Sequence, residues 1–168
     1  MELTIIQLKS LWNKEKENYQ SQEVGSGVQK FVKDVLECDE LFNLKEGKIS
    51  TPNEKRKDEF ICEYKTKSKR RVDAAIFITP EILIPVEVEQ YTNIQAGINQ
   101  LFQYQIDLDR KYGILTDGYT WRFFNNNIYR TFTLKEIFDE TKTFLEFWKE
   151  YIKPEHYYLS FFETFGQL

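Results

Sequence analysis

The 168-residue chain has one histidine, two cysteines and only four prolines and seven glycines, and each scarcity excludes something. His156 follows Pro154 and Glu155 with no metal-ligand partner nearby. Cys38 and Cys62 stand outside any CxxC or Cys/His spacing. A zinc centre and a Cys–His or Ser–His catalytic pair therefore lack raw material. The two cysteines are expected as buried thiols rather than a disulfide. There is no apolar run of about 18 residues and no basic-then-apolar leader, so neither a membrane span nor a secretory signal is expected, which points to a cytoplasmic location. No Pro/Gly-rich linker divides the chain. Any chemistry must rest on carboxylates.

What is present suits a folded core. Hydrophobic residues make up 41% and aromatic residues 16% of the chain, including 14 Phe and 10 Tyr. A domain of this size buries roughly 70% of its unfolded surface. Leu3, Ile6, Leu8, Leu11 and Trp12 recur at helical spacing, as do Val28, Phe31, Val32, Val35 and Leu36 after Gly25-Ser26-Gly27. Residues 43–53, with Gly47, Ser50, Thr51 and Pro52, read as a loop, and Phe60, Cys62 and Tyr64 alternate like a half-buried strand. Residues 71–78 and 82–89 are two further β-rich runs joined by Thr79-Pro80-Glu81, a hairpin-length loop. Ile94, Ile98, Leu101, Phe102 and Leu108 form the stripe of a helix over 93–109. Strands then resume at 112–116, 119–124 and 128–132, separated by Asp117-Gly118 and Asn125-Asn126-Asn127. Leu134, Ile137, Phe138, Phe144, Leu145, Trp148 and Tyr151 predict a last amphipathic helix. The order implies one mixed α/β, α+β-like domain over 1–168, with N-terminal helices at 1–37, a sheet and helix at 58–133 and a helical segment at 134–168. Residues 157–168, rich in Phe and Tyr, either pack on it or continue into something further.

The carboxylates fall at one place. If the loop centres on Pro80, opposed residues sum to 160, so Asp73 lies across from Glu87, and strand alternation puts Glu89 on the same face as Glu87. Opposed Cβ atoms are about 4.5–5.5 Å apart, and like charges there destabilise a sheet unless something compensates. A divalent cation would do so: Mg²⁺ takes one or two carboxylates and completes its octahedron with water and phosphate oxygens. The competing reading is ordinary ion pairing, because the same register sets Arg71 across from Glu89 and leaves Lys69 or Arg70 near Asp73.

Val72-Asp73, then Pro85-Val86-Glu87-Val88-Glu89, then Gln100-Leu101-Phe102-Gln103-Tyr104 resemble, in order, the PD-(D/E)XK nuclease superfamily. The stretches 23–32 and 112–118 look like the N-terminal nuclease segment of restriction-modification polypeptides that also carry an adenine methyltransferase. The resemblance implies a restriction-endonuclease-like core of helix, three antiparallel strands, helix and strand, with an added hairpin and C-terminal helix. It implies a Mg²⁺-dependent DNA endonuclease, with Mn²⁺ as a substitute, in which Asp73, Glu87 and Glu89 are the catalytic and metal-binding acids. Gln100 and Tyr104 would be its QxxxY element, four apart on one helical face. Val72 replaces the usual Pro, and Glu89 stands where Lys is usual. Glu89 would then ligate metal or take a proton from water. Alternatively Lys67, Lys69 or Lys111 supplies the missing cation, or the domain is a catalytically inactive nuclease-like DNA-binding or assembly module. Glu23 is a supporting candidate, set against a plain role as helix N-terminal charge.

The chain is acidic overall, with net charge −4, which opposes strong autonomous DNA binding. Residues 45–71, however, hold ten Lys and Arg against five acids. That basic run, Lys67, Lys69, Arg70 and Arg71 in particular, leads into Asp73 and suits the phosphates of double-stranded DNA. Nothing resembles a base-reading module, so sequence choice falls to a fused or separate DNA methyltransferase or target-recognition domain. A double-strand cut takes two active sites or two visits, and a transient dimer on DNA would supply the former. Trp121, Phe123, Phe124 and Tyr129 are assigned to packing rather than to base stacking.

Overall fold

The computed structural model describes residues 3–21 and 27–153; Glu23, Gly25, Ser26, His156 and the aromatic-rich 157–168 lie outside the described residues. In chain order the elements are α1 (Ile5–Ser21), α2 (Val28–Glu37), β1 (Lys45–Glu46), β2 (Glu59–Lys65), β3 (Arg71–Phe77), β4 (Leu83–Val88), α3 (Ile98–Leu108), β5 (Tyr112–Thr116), β6 (Thr120–Asn125), β7 (Ile128–Thr133), α4 (Leu134–Asp139) and α5 (Thr141–Tyr151). The strands form one mixed sheet in the order β1 to β7, so every strand lies beside its chain neighbours. β2, β3 and β4 pair antiparallel; α3 crosses over to place β5 parallel to β4; β6 and β7 extend the sheet antiparallel.

Strand alternation divides the core between two faces. Ala74, Ile76, Ile84, Val86 and Val88 pack with Leu8 and Trp12 of α1, Phe31 and Val32 of α2, and Phe144 and Trp148 of α5. On the opposite face Ala75, Phe77 and Leu83 cluster with Ile61, while Leu101 of α3 covers Leu115 and Phe124. Helices therefore cover both faces, and β4 is buried along its whole length, as expected of a strand enclosed on two sides.

Three expectations are corrected. The stretch read as a loop over 43–53 contains the short β1, parallel to β2. The last helix is two helices, because α4 opens with a Thr133–Glu136 capping box and the chain leaves helical geometry at Glu140 (φ −121°, ψ 46°). There the Thr141 hydroxyl donates to the carbonyls of Ile137 (2.8 Å) and Phe138 (3.0 Å), a side-chain bond that competes with helix continuation. Cys38 is buried as expected, whereas Cys62 is half-buried. No helix among the described residues is long and apolar enough to cross a membrane.

Candidate active site

The β3–β4 register is centred on Pro80. Phe77 pairs with Leu83, Ile76 with Ile84, Ala75 with Pro85 and Ala74 with Val86. The ladder stops one step short of Asp73 and Glu87. There the Val88 amide donates to Asp73 Oδ2 at 2.7 Å, where a continuing ladder would offer it a backbone carbonyl. On the other flank of Asp73 the β2–β3 ladder skips the Glu63–Asp73 pair while keeping its register on either side, and Glu63 takes a left-handed φ of 52°. The Asp73 carbonyl accepts a long hydrogen bond from Gln29 Nε2 of α2 instead (3.4 Å). Backbone irregularity thus brackets the first acid on both sides, the kind of local departure that concentrates at working sites.

Gln100 and Tyr104 join this frame. Gln100 Nε2 donates to Tyr104 Oη (2.8 Å), and Tyr104 Oη donates to the Arg71 carbonyl (2.6 Å). The pair docks α3 onto the first residue of β3, two positions before Asp73. Burial and the nearby acids push the Tyr104 phenol up to about 12, so it stays a donor.

Glu87 sits at the centre of the acids. It is 7% exposed, and its Oε2 is buried with no hydrogen-bond donor. Its carboxyl lies within hydrogen-bond reach of both Asp73 and Glu89, which can serve only if a proton is shared between them. Burial first, then the Asp73 charge, push the Glu87 acid up from its ordinary value to about 9. Burial raises Asp73 against the opposing Val88 amide, and burial also raises Glu89. Glu89 is half-buried and packs so tightly on Gly97 that a Cβ there would lie 2.7 Å from Glu89 Cγ. Glycine is what lets Glu89 lie there. Among the described residues no three His, Cys, Asp or Glu side chains form a group that could hold a metal ion.

Compared with family models, curated proteins and solved structures, the chain matches none.

The ion-pairing reading of the acids does not hold: among the described residues no ion pair joins Arg71 to Glu89, or Lys69 or Arg70 to Asp73. Lys67, Lys69 and Arg71 are exposed around the β2–β3 turn, at the end of the sheet that carries the acids. Arg70 is engaged, with Nε 3.4 Å from Asp107 of α3. Asp107 also accepts from Ser68 Oγ (2.6 Å) and Gln103 Nε2 (3.2 Å), pinning the turn to the helix. Arg56 is buried against the Lys48 carbonyl (2.9 Å), Asn53 (3.0 Å), the Glu59 carboxylate (3.4 Å) and the Phe77 ring, so its charge ties the 47–58 loop to β2. Lys111 precedes β5, four residues before Leu115, the partner of Glu87. That is about 13 Å along the strand, too far to replace the missing lysine.

Sequence reasoning missed two groups. Gln29 is one, a polar residue at the edge of the apolar face of α2. Arg122 is the other. Glu87 is level with Leu115, and Leu115 with Arg122, which places Arg122 on the same face two strands across, about 10 Å away. Its Nη1 bonds Gln95 Oε1 (2.8 Å), its Nε is buried without an acceptor, and its guanidinium lies over Tyr129 at 5.2 Å. Trp121, Phe123 and Phe124 are buried packing residues as expected; Tyr129, 49% exposed, also packs, with its ring 4.9 Å from Phe124 beneath that arginine.

Proposed function

We propose that the chain is a Mg²⁺-dependent DNA endonuclease domain of a restriction-modification system, working through Asp73, Glu87 and Glu89. The observation that carries this is the buried, donorless Oε2 of Glu87, set between two further acids where β3 and β4 part. A buried carboxylate without a donor is costly to keep. A hard cation is the partner that would repay it, and one or two carboxylates suffice when water and phosphate oxygens supply the rest.

Asp73 and Glu87 are the residues that would hold Mg²⁺. When bound, the ion would supply a water of lowered pKa and neutralise charge growing on the phosphate. Glu89, the more open acid, is placed to take a proton from an attacking water. The Val88 amide fixes the Asp73 carboxylate, Gln100 and Tyr104 hold α3 against β3, and Lys67, Lys69 and Arg71 offer charge to the phosphate backbone. Arg122 is the cation in line with Glu87.

The second reading, a catalytically inactive nuclease-like module that binds DNA or assembles with a methyltransferase, is favoured by the absence of a three-ligand group among the described residues. One experiment separates the two. Asp73→Asn keeps an acceptor for the Val88 amide while removing the charge. Supercoiled plasmid with Mg²⁺ or Mn²⁺ should be nicked by the wild type and at least about a hundredfold more slowly by the variant. Equal nicking by both would overturn the assignment of the cutting to Asp73, and none by either leaves the inactive module.

A further inference from the structure

On the face of the sheet opposite the acids lies an open cavity of about 400 Å³, bounded by α1, the segment after β4, the β5–β6 turn and α4. Its floor is aromatic. Trp12 is met edge-on by Tyr91 (ring centroids 4.9 Å apart, planes at 86°) and lies nearly parallel to Tyr119 (5.9 Å, 24°). Tyr91 and Tyr119 are half-buried and contribute to the lining, so ring surface is available at the wall. Its rim is basic. Lys9 Nζ and Lys135 Nζ both bond the Asp139 carboxylate, at 3.0 and 2.9 Å, and Lys16 has no ion pair among the described residues. Among the lining side chains three ammonium groups stand against one carboxylate, with Glu140 also near Lys135, which leaves a positive surplus beside an aromatic wall.

Volume, ring surface and unbalanced charge select one ligand chemistry. A cavity of this size fits a small molecule, aromatic walls favour a flat π-system, and surplus ammonium groups favour an anion attached to it. We propose that this cavity is a second binding site, for a nucleotide, either free or at the phosphorylated end of a single nucleic-acid strand, with the base against Tyr91 and Tyr119 and the phosphate among Lys9, Lys16 and Lys135. Base–aromatic stacking is tolerant of base identity, so the site reads ring and charge rather than sequence. The inference does not rest on the nuclease reading, because the two sites lie on opposite faces and share no residue.

The test uses the whole chain and AMP, with Trp12 as internal reporter and isothermal titration as a second readout. AMP should give a saturable signal and bind at least about tenfold more tightly than adenosine or inorganic phosphate alone. Lys16→Glu should weaken AMP by about tenfold or more, and Lys135→Gln by less, without changing the melting temperature. Asp73→Asn should bind AMP as the wild type does, which separates this site from the carboxylates. A terminally phosphorylated oligonucleotide that binds more tightly than AMP identifies a strand end as the source; one that binds less tightly identifies the free nucleotide. No saturable response to either, equal binding of adenosine and AMP, or unchanged affinity in Lys16→Glu overturns the proposal.

Discussion

Two carboxylates are buried at the same end of neighbouring parallel strands, and their surroundings are opposite. Asp117, 3% exposed just after β5, accepts from the backbone amides of Thr92 (3.1 Å), Tyr119 (3.0 Å) and Thr120 (2.7 Å). Glu87, 7% exposed near the end of β4, has an oxygen with no donor at all. Burial alone therefore does not mark a working acid. The donors do: Asp117's oxygens are taken up in holding two loops together, while Glu87 keeps an oxygen unbonded, and only the second arrangement is available to a ligand.

Breaking the satisfied acid should have the largest effect. Asp117→Ala would orphan three amides, one of them on Thr92, whose left-handed φ of 73° depends on being held. The expected loss is on the order of 3 kcal/mol, or roughly 6–12 °C in a thermal melt. A loss below about 2 °C would mean that the three hydrogen bonds are dispensable and the contrast is empty.

The orphaned acid should behave in the reverse sense. Glu87→Gln keeps the shape and adds an amide donor toward Asp73 and Glu89. Near pH 8, in the absence of divalent metal, it should gain about 1–3 kcal/mol and melt a few degrees higher. An unchanged or lower melting temperature contradicts the reading of Glu87 as keeping an oxygen unbonded.

The same acid gives the comparison a pH axis. Glu87 titrates from an ordinary 4.5 up to about 9 in the fold, so between those values the folded chain holds a proton that the unfolded chain has released. Stability from this group is full below about pH 4.5 and is lost as pH rises toward 9. The metal-free wild type should lose thermal stability across that window, and Glu87→Gln should lose less, as followed by melts at constant ionic strength. Parallel pH profiles would assign the slope elsewhere.

The smallest change sharpens the contrast from beside the acids. A Cβ at Gly97 would lie 2.8 Å from both Glu89 Oε1 and Leu115 Cδ1. Gly97→Ala should therefore cost on the order of 1 kcal/mol and displace Glu89, lowering nicking more than stability; equal retention of both would show that Glu89 has room to spare.

What was legible in the chain follows from what acts locally. Pro80 in a hairpin-length loop was enough to set opposed residues to a sum of 160, and the alternation of apolar residues placed Asp73, Glu87 and Glu89 on one face. Gln100 and Tyr104, one helical turn apart, were likewise readable. The rest depends on what distant segments bring. Nothing near Arg56 announces that the Lys48 carbonyl and Phe77 will enclose it, and nothing near Lys111 says that it precedes its strand, well before the level of Glu87. Asp117-Gly118 was readable as a turn, but its third partner, Thr92, arrives from 25 positions away. The Glu63 irregularity has no signal in side-chain pattern, because the residue keeps its place in the alternation while its backbone turns aside.

The order of the strands has a consequence for how the chain is made. Synthesis releases it in the sequence in which the sheet is laid down, and each new strand finds its neighbour already at hand. Glu87 is among the residues that benefit: until α3 and β5 emerge and dock, its carboxylate is still bathed in solvent and carries no penalty. A buried acid with an unbonded oxygen is thus enclosed late in assembly, when the surrounding sheet is already there to hold it.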